Sequence, residues 1–217
     1  MQIFHPSANA VAKLSIIAVV TFVVGLVGLI YLIVRSSYVT EVNVAVRQPV
    51  PFSHEHHVSG LGVDCRYCHV SVENSSYAGV PPTETCMTCH SQIWNDSPML
   101  APVRASYETN TPLTWNRVHN LPDHVYFNHS IHVQKGVGCV TCHGRVDQMP
   151  LTWKAEAMTM SWCLDCHRRP EQFLRPVEAV FDMEWQPSEQ QLVLGRRLIG
   201  EYDIRVEQLT DCYICHR

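Results

Sequence analysis

Lysine is scarce in this chain. Three Lys stand beside thirteen Arg among its 217 residues, no basic run occurs, and the formal net charge is −4. A nucleic-acid footprint needs clustered positive charge, so that class of partner is excluded. Apolar residues are also scarce once one stretch is set aside. The hydrophobic share is 46%, but residues 14–34 supply that class at 17 of 21 positions and ten further members are cysteines. What remains is thin for a self-sufficient core, which excludes an ordinary soluble enzyme with a large aliphatic interior. Ten Cys in this length also fall short of the roughly 8–10% of small disulfide scaffolds. The excess that is present, ten Cys and thirteen His, requires a reason.

Residues 14–34 read LSIIAVVTFVVGLVGLIYLIV, with Lys13 and Arg35 at the two ends and no charge between. Twenty-one helical residues span about 31 Å, which matches a hydrocarbon core of about 30 Å. The apolar character runs all the way round, unlike the single stripe of a helix packed on a core. A cleaved leader has a shorter apolar region and small residues after it. Here RSSYVTEV follows, so an uncleaved anchor in contact with membrane lipid is expected. One basic residue on each flank leaves the positive-inside rule silent. Ser15, Thr21 and Tyr31 bear the only hydroxyls of the span, so the helix anchors and packs without forming a proton-coupled site.

All ten cysteines fall into one pattern used five times: Cys65-x-x-Cys68-His69, Cys86-x-x-Cys89-His90, Cys139-x-x-Cys142-His143, Cys163-x-x-Cys166-His167 and Cys212-x-x-Cys215-His216. This is the attachment pattern of c-type haem. Two thiols on one helical turn reach the two vinyl groups of a porphyrin, and the next residue offers its imidazole to the iron as proximal ligand. Zinc knuckles work in pairs, so five leave one without a partner, and zinc does not require His after the second Cys. A redox dithiol occurs once in a strand–helix unit, not five times. A disulfide framework does not need the fixed local spacing. Five covalently bound haem c groups are therefore expected. Thioether attachment takes place outside the bacterial cytoplasm, so residues 1–13 are expected inside and the haem domain, 35–217, on the periplasmic side of the cell membrane.

The eight other histidines are not scattered. Phe52-Ser-His54-Glu-His56-His57 precedes the first motif, and Phe127-Asn-His129-Ser-Ile-His132 precedes the third. Gly62-Val63 and Gly136-Val137 correspond in the same way. The pattern is an internal repeat of a two-haem module, 52–90 and 127–167, followed by a helical tail, 168–217, with the fifth motif. Phe-x-His-x-x-His ahead of Cys-x-x-Cys-His resembles the small class III multihaem cytochromes. That resemblance implies His54 opposite His69, His57 opposite His90, His129 opposite His143 and His132 opposite His167. The fifth iron, on His216, takes its sixth ligand from elsewhere. His119 is the first choice, with His124, Met158 and Met160 as rivals; Met would raise that haem's potential. His56 reads as the neighbour of a ligand, and His5 as an interfacial residue.

The expected fold is mainly α and irregular, a multihaem cytochrome c with one amino-terminal transmembrane helix. Porphyrin discs replace much of the missing core, among short helices, long loops and almost no sheet. Ser188-Glu189-Gln190-Gln191 reads as a capping box opening a helix to about Gly200. A second helix from about Ile204 is expected to bear the fifth motif. The Arg excess suits about ten haem propionates, although compositional bias accounts for it equally.

Electron transfer is the leading function: a membrane-anchored wire with no small-molecule substrate bound directly. A multihaem reductase with one open iron is an alternative from the enzyme class, weakened by the supply of spare His. The Lys-ligated Cys-x-x-Cys-Lys motif of pentahaem nitrite reductases does not occur. A stand-alone quinol dehydrogenase of the nitrate/nitrite-respiration type shares the single amino-terminal helix but differs in haem count. The single span, the two His-x-x-His modules, the lead-in Val118-His119-Asn120-Leu121-Pro122-Asp123-His124 and the terminal fifth motif together resemble the pentahaem cytochrome of bacterial alternative complex III. That family implies a respiratory or photosynthetic quinol:electron acceptor oxidoreductase. Its other parts are an iron–sulfur subunit, polytopic quinol-binding subunits and a monohaem cytochrome. In that setting this chain relays electrons, and its neighbours oxidise quinol.

Overall fold

The computed structural model describes residues 4–216 and separates into two units, one ending at Val42 and the next beginning at Asn43. The first unit is dominated by α1, Ser7–Arg35, 29 residues with no buried member. It is long and apolar enough to cross a membrane. It starts seven residues ahead of the apolar run, because Ala8, Ala10 and Ala12 favour helix and the first barrier upstream is Pro6, at the cap position. At the other end Arg35 Nη1 donates to Tyr31 Oη at 2.6 Å, and the Ser36 hydroxyl closes the last turn on the Ile33 carbonyl at 2.6 Å. A four-residue turn of helix, α2 (Ser37–Thr40), follows.

The second unit is built from short pieces. Its helices are α3 (Cys65–Cys68), α4 (Thr83–His90), α5 (Ala101–Thr109), α6 (His129–Gln134), α7 (Cys139–His143), α8 (Met160–Arg168), α9 (Gln191–Glu201) and α10 (Cys212–Cys215). A π-type turn occupies Glu55–Gly60. Among the described residues there is no ladder of strands, only isolated bridges such as Val125 with His216 and Val137 with Leu174. Among the described residues ten hydrophobic side chains are buried, and they form patches rather than one core. Val50, Leu100 and Val103 make one cluster; Val72, Val133 and Val180 make another. So small a core matches what the composition allows.

Two expectations for the tail are corrected. The capping box at Ser188–Gln191 does not form: α9 begins at Gln191 with no side-chain cap. Its amide is used elsewhere, donating to the Glu171 and Leu174 carbonyls at 3.1 and 2.8 Å. The helix still ends at Glu201, one residue beyond the expected stop. The continuous helix from Ile204 into the fifth motif is broken. Asp203 adopts a left-handed conformation (φ 49°), a single 3₁₀ turn covers Val206–Gln208, and α10 starts afresh behind Asp211.

Candidate haem-binding sites

Each Cys-x-x-Cys pair sits on a helical turn, so the two thiols share one face, three residues apart. The turns start in different ways. Asp64 caps α3 by accepting from Arg66 N–H at 2.8 Å, Thr159 caps α8 through Trp162 N–H, and α4 starts after Pro82. None of the ten cysteines is paired in a disulfide. Burial pushes Cys142 up to about 12 and Cys139 and Cys166 to about 11, with neighbouring thiols adding to the effect. Among the described residues no three His, Cys, Asp or Glu converge as a structural zinc site requires.

The two Phe-x-His-x-x-His segments have nearly the same ring geometry. Phe52 meets His54 edge-on at 4.9 Å and stacks on His57 at 4.5 Å and 23°. Phe127 meets His129 edge-on at 4.8 Å and stacks on His132 at 4.5 Å and 25°. Behind each pair the chain turns through a left-handed glycine, Gly62 (φ 69°) and Gly136 (φ 77°), before it reaches the cysteines. At Gly136 a Cβ would also lie 2.3 Å from the Arg175 carbonyl. That double constraint applies to Gly136; at Gly62 the positive φ alone favours glycine, since nothing lies within 4 Å.

The imidazoles face one another in pairs. An iron between two Nε2 atoms, at metal–nitrogen distances of about 2.0–2.1 Å, sets ring centroids about 6.3 Å apart. His57 and His90 are 6.1 Å apart, His132 and His167 6.2 Å, and His129 and His143 6.4 Å. His54 lies near His69. Its pKa is lowered to about 4, first by burial and then by the charges of His69 and His57. Burial lowers His143 to about 3 and also lowers His132, so both are neutral and able to donate a lone pair.

The opposite nitrogens are occupied. Nδ1 donates to a main-chain carbonyl in His57 (Ser53, 2.8 Å), His69 (Gly79, 2.7 Å), His90 (Ile93, 3.0 Å), His129 (Ser76, 2.9 Å), His132 (Asn128, 2.7 Å) and His167 (Leu209, 2.8 Å). His54 Nδ1 instead meets the Thr152 hydroxyl at 3.0 Å. A carbonyl can only accept, so each of the six rings bears a proton on Nδ1 and turns Nε2 away from that bond. A histidine that ligates a metal is commonly held in this way, its other ring N–H donating to a carbonyl that fixes tautomer and ring orientation. The residues therefore fit the cofactor that the motifs imply. Except at His54, the acceptors are backbone atoms, and no sequence pattern marks them.

The fifth site departs from the sequence expectation. His119, the first choice for His216, lies against His143 instead, ring centroids 4.3 Å apart and nearly perpendicular. That distance leaves no room for an iron between the two rings. Burial lowers His119 to about 4, and its Nε2 is buried with no hydrogen-bond partner. His124 is the histidine beside His216, with centroids 5.6 Å apart. The turn closed by Val125 N–H on the Pro122 carbonyl and the bond from Tyr126 N–H to the Cys215 carbonyl fix that register. The His124 carbonyl accepts from His216 Nδ1 at 3.1 Å. A residue bonded there stands behind the ring, about 9 Å from the point opposite Nε2, and a His ring reaches only about 6.5 Å from its own carbonyl. His124 thus backs the proximal ligand by its main chain. His56 lies beside His57 in an edge contact, and His5 Nδ1 contacts the Ser7 hydroxyl at 2.8 Å.

Residues 125–217 match the family of cytochrome c7 and related cytochromes c. That stretch holds the third, fourth and fifth motifs and the His129/His132 pair. Over 97 residues the chain is 37% identical to the multihaem cytochrome c subunit of a menaquinone reductase from Nitratidesulfovibrio vulgaris. The alignment covers 44% of this chain and 45% of that protein, so the chain spans less than half the length of the relative it matches.

Proposed function

We propose that the chain is a membrane-anchored pentahaem cytochrome c that relays electrons within a quinol-linked oxidoreductase complex. The observation that carries this reading is the set of facing imidazoles at 6.1–6.4 Å, each ring but His143 held from behind through Nδ1. When bound, each haem c supplies a reversible one-electron iron couple. The protein's own groups do the rest. Cys65, Cys68, Cys86, Cys89, Cys139, Cys142, Cys163, Cys166, Cys212 and Cys215 attach the groups. His69, His90, His143, His167 and His216 are the proximal ligands. His54, His57, His129 and His132 saturate four of the five irons, which favours conduction over catalysis.

The similarity to a menaquinone reductase subunit supports a place beside quinone-reactive partners. The order of span, modules and terminal motif supports an assembly of the alternative complex III type, with an iron–sulfur subunit, polytopic quinol-binding subunits and a monohaem cytochrome as neighbours. α1 supports a single-pass anchor, and the five haem-attachment motifs support a periplasmic haem domain. The test is intact mass and magnetic spectra of the full chain matured in a host that attaches haem c. Five haem increments and at least four low-spin irons are expected. Fewer increments, or mostly high-spin iron that binds small ligands, would overturn the reading in favour of a reductase.

A further inference from the structure

The five motifs touch one another in an order that differs from their order in the chain. The first and second meet where Tyr67 Oη and Thr88 Oγ1 lie 2.8 Å apart, and Cys86 is an electrostatic neighbour of Cys68. The third and fourth meet where His132, whose carbonyl accepts from Val137 N–H just ahead of Cys139, lies 6.2 Å from His167, and where Val137 bridges Leu174 just after the fourth motif. The fourth and fifth meet where His167 donates to the Leu209 carbonyl, with Cys215 close to Cys163. The remaining joint is between the first and the third. Cys65 is a neighbour of Cys139, and the Arg66 guanidinium lies 4.6 Å over the Phe181 ring while Cys139 N–H donates to the adjoining Val180 carbonyl.

That joint is reciprocal. His54 of the first module is held by Thr152, which follows the third motif. His129 of the second module is held by the Ser76 carbonyl, which follows the first motif. Each module's leading distal histidine is thus fixed by the loop behind the other module's leading motif. Ser59 Oγ donating to the Asp147 carbonyl at 2.7 Å and Ser130 N–H donating to the Ser75 carbonyl at 3.1 Å close the same seam from both sides. Exposure fits the same order. The two exposed cysteines of the ten are Cys89 and Cys212, in the second and fifth motifs.

We propose that the attachment sites form one row in the order second, first, third, fourth, fifth, clasped at its middle by His54–Thr152 and His129–Ser76. The His90 and His216 sites are its two ends, so a one-electron donor and a one-electron acceptor meet the chain at opposite ends. This rests on the pentahaem reading above and adds the order of the sites and the places of exchange.

The test uses the haem-loaded full chain. Intact mass counts the haems first, so failure of the pentahaem reading is seen separately from failure of the order. Anomalous scattering at the iron edge then locates the five irons. The iron on His69 is expected to have two near neighbours, those on His90 and His143. The irons on His90 and His216 are expected to have one each. An iron on His90 nearer to that on His143 or His167 than to that on His69 would overturn the order. A solution measurement tests the clasp independently. Haem methyl resonances of the first site are identified by their loss in the C65S/C68S variant. Thr152→Val, a change behind the third motif, is expected to shift the resonances of the first site and leave those of the third in place. Movement of the third set alone, or of neither, would refute the clasp.

Discussion

Phe52 lies 4.5 Å from His57, nearly parallel to it, and so sets the plane in which that imidazole presents Nε2. Phe127 does the same for His132. Phe52→Leu keeps the apolar volume but loses the flat face. The expected outcome is retention of every haem, with a changed low-spin EPR signal from the iron on His90 only. Phe127→Leu is expected to change the iron on His167 instead. An unchanged low-spin envelope in both variants would remove the aromatic rings from any part in orienting the ligands.

The paired spacing makes a sharper demand. His57→Ala and His132→Ala are each expected to convert one iron of the total to high spin, read by EPR and absorption spectra. His56→Ala, on the same turn, is expected to convert none, since His56 sits edge-on to the ligand ring with no facing imidazole of its own.

His124 offers a test of backbone against side chain. Its carbonyl holds His216 Nδ1, and Ala keeps a carbonyl. His124→Ala is therefore expected to leave the high-spin fraction where it was. A new high-spin signal would make the His124 ring the sixth ligand. His119→Ala is expected to perturb the site of His143, against which its ring packs at 4.3 Å, and not that of His216.

Stability depends on close backbone approaches in the tail. A Cβ at Gly195 would fall 2.0 Å from the Glu171 carbonyl, where α9 packs on the turn at Pro170–Gln172, whereas Gly200 has nothing within 4 Å. Gly195→Ala is expected to cost about 1–3 kcal/mol through overpacking. Gly200→Ala is expected to gain about 0.4–1 kcal/mol through lower unfolded-state entropy. Denaturant midpoints of the haem-loaded chain check both.

The candidate chemistry-bearing residues stand out in the sequence because the proposed c-type attachment calls for a spacing of three residues and an adjacent imidazole. The apolar span was legible for a similar reason: bilayer thickness sets its length. The shortness of the helices followed from thin apolar content and frequent proline. The placement of His119 and the broken helix before Cys212 were not legible. The first depends on long-range placement: His119 packs on His143, while the Val125–His216 bridge brings His124 to the fifth motif; the second follows from a local left-handed turn at Asp203. Neither leaves a periodic trace. The contact between the first and third motifs was equally hidden, since it joins loops separated by dozens of residues and chain order favours the wrong neighbour.

Because carbonyls rather than side chains hold His57, His69, His90, His129, His132, His167 and His216 from behind, ring orientation at those sites is insulated from most single substitutions nearby. The loops can therefore drift in amino-acid identity while keeping their path, and the tuning of the rings survives. Thr152 is the exception. A chain of this kind is expected to vary freely around its ligands and to be intolerant of insertions or deletions there, since a shift of one residue would withdraw the acceptor that no side chain can replace.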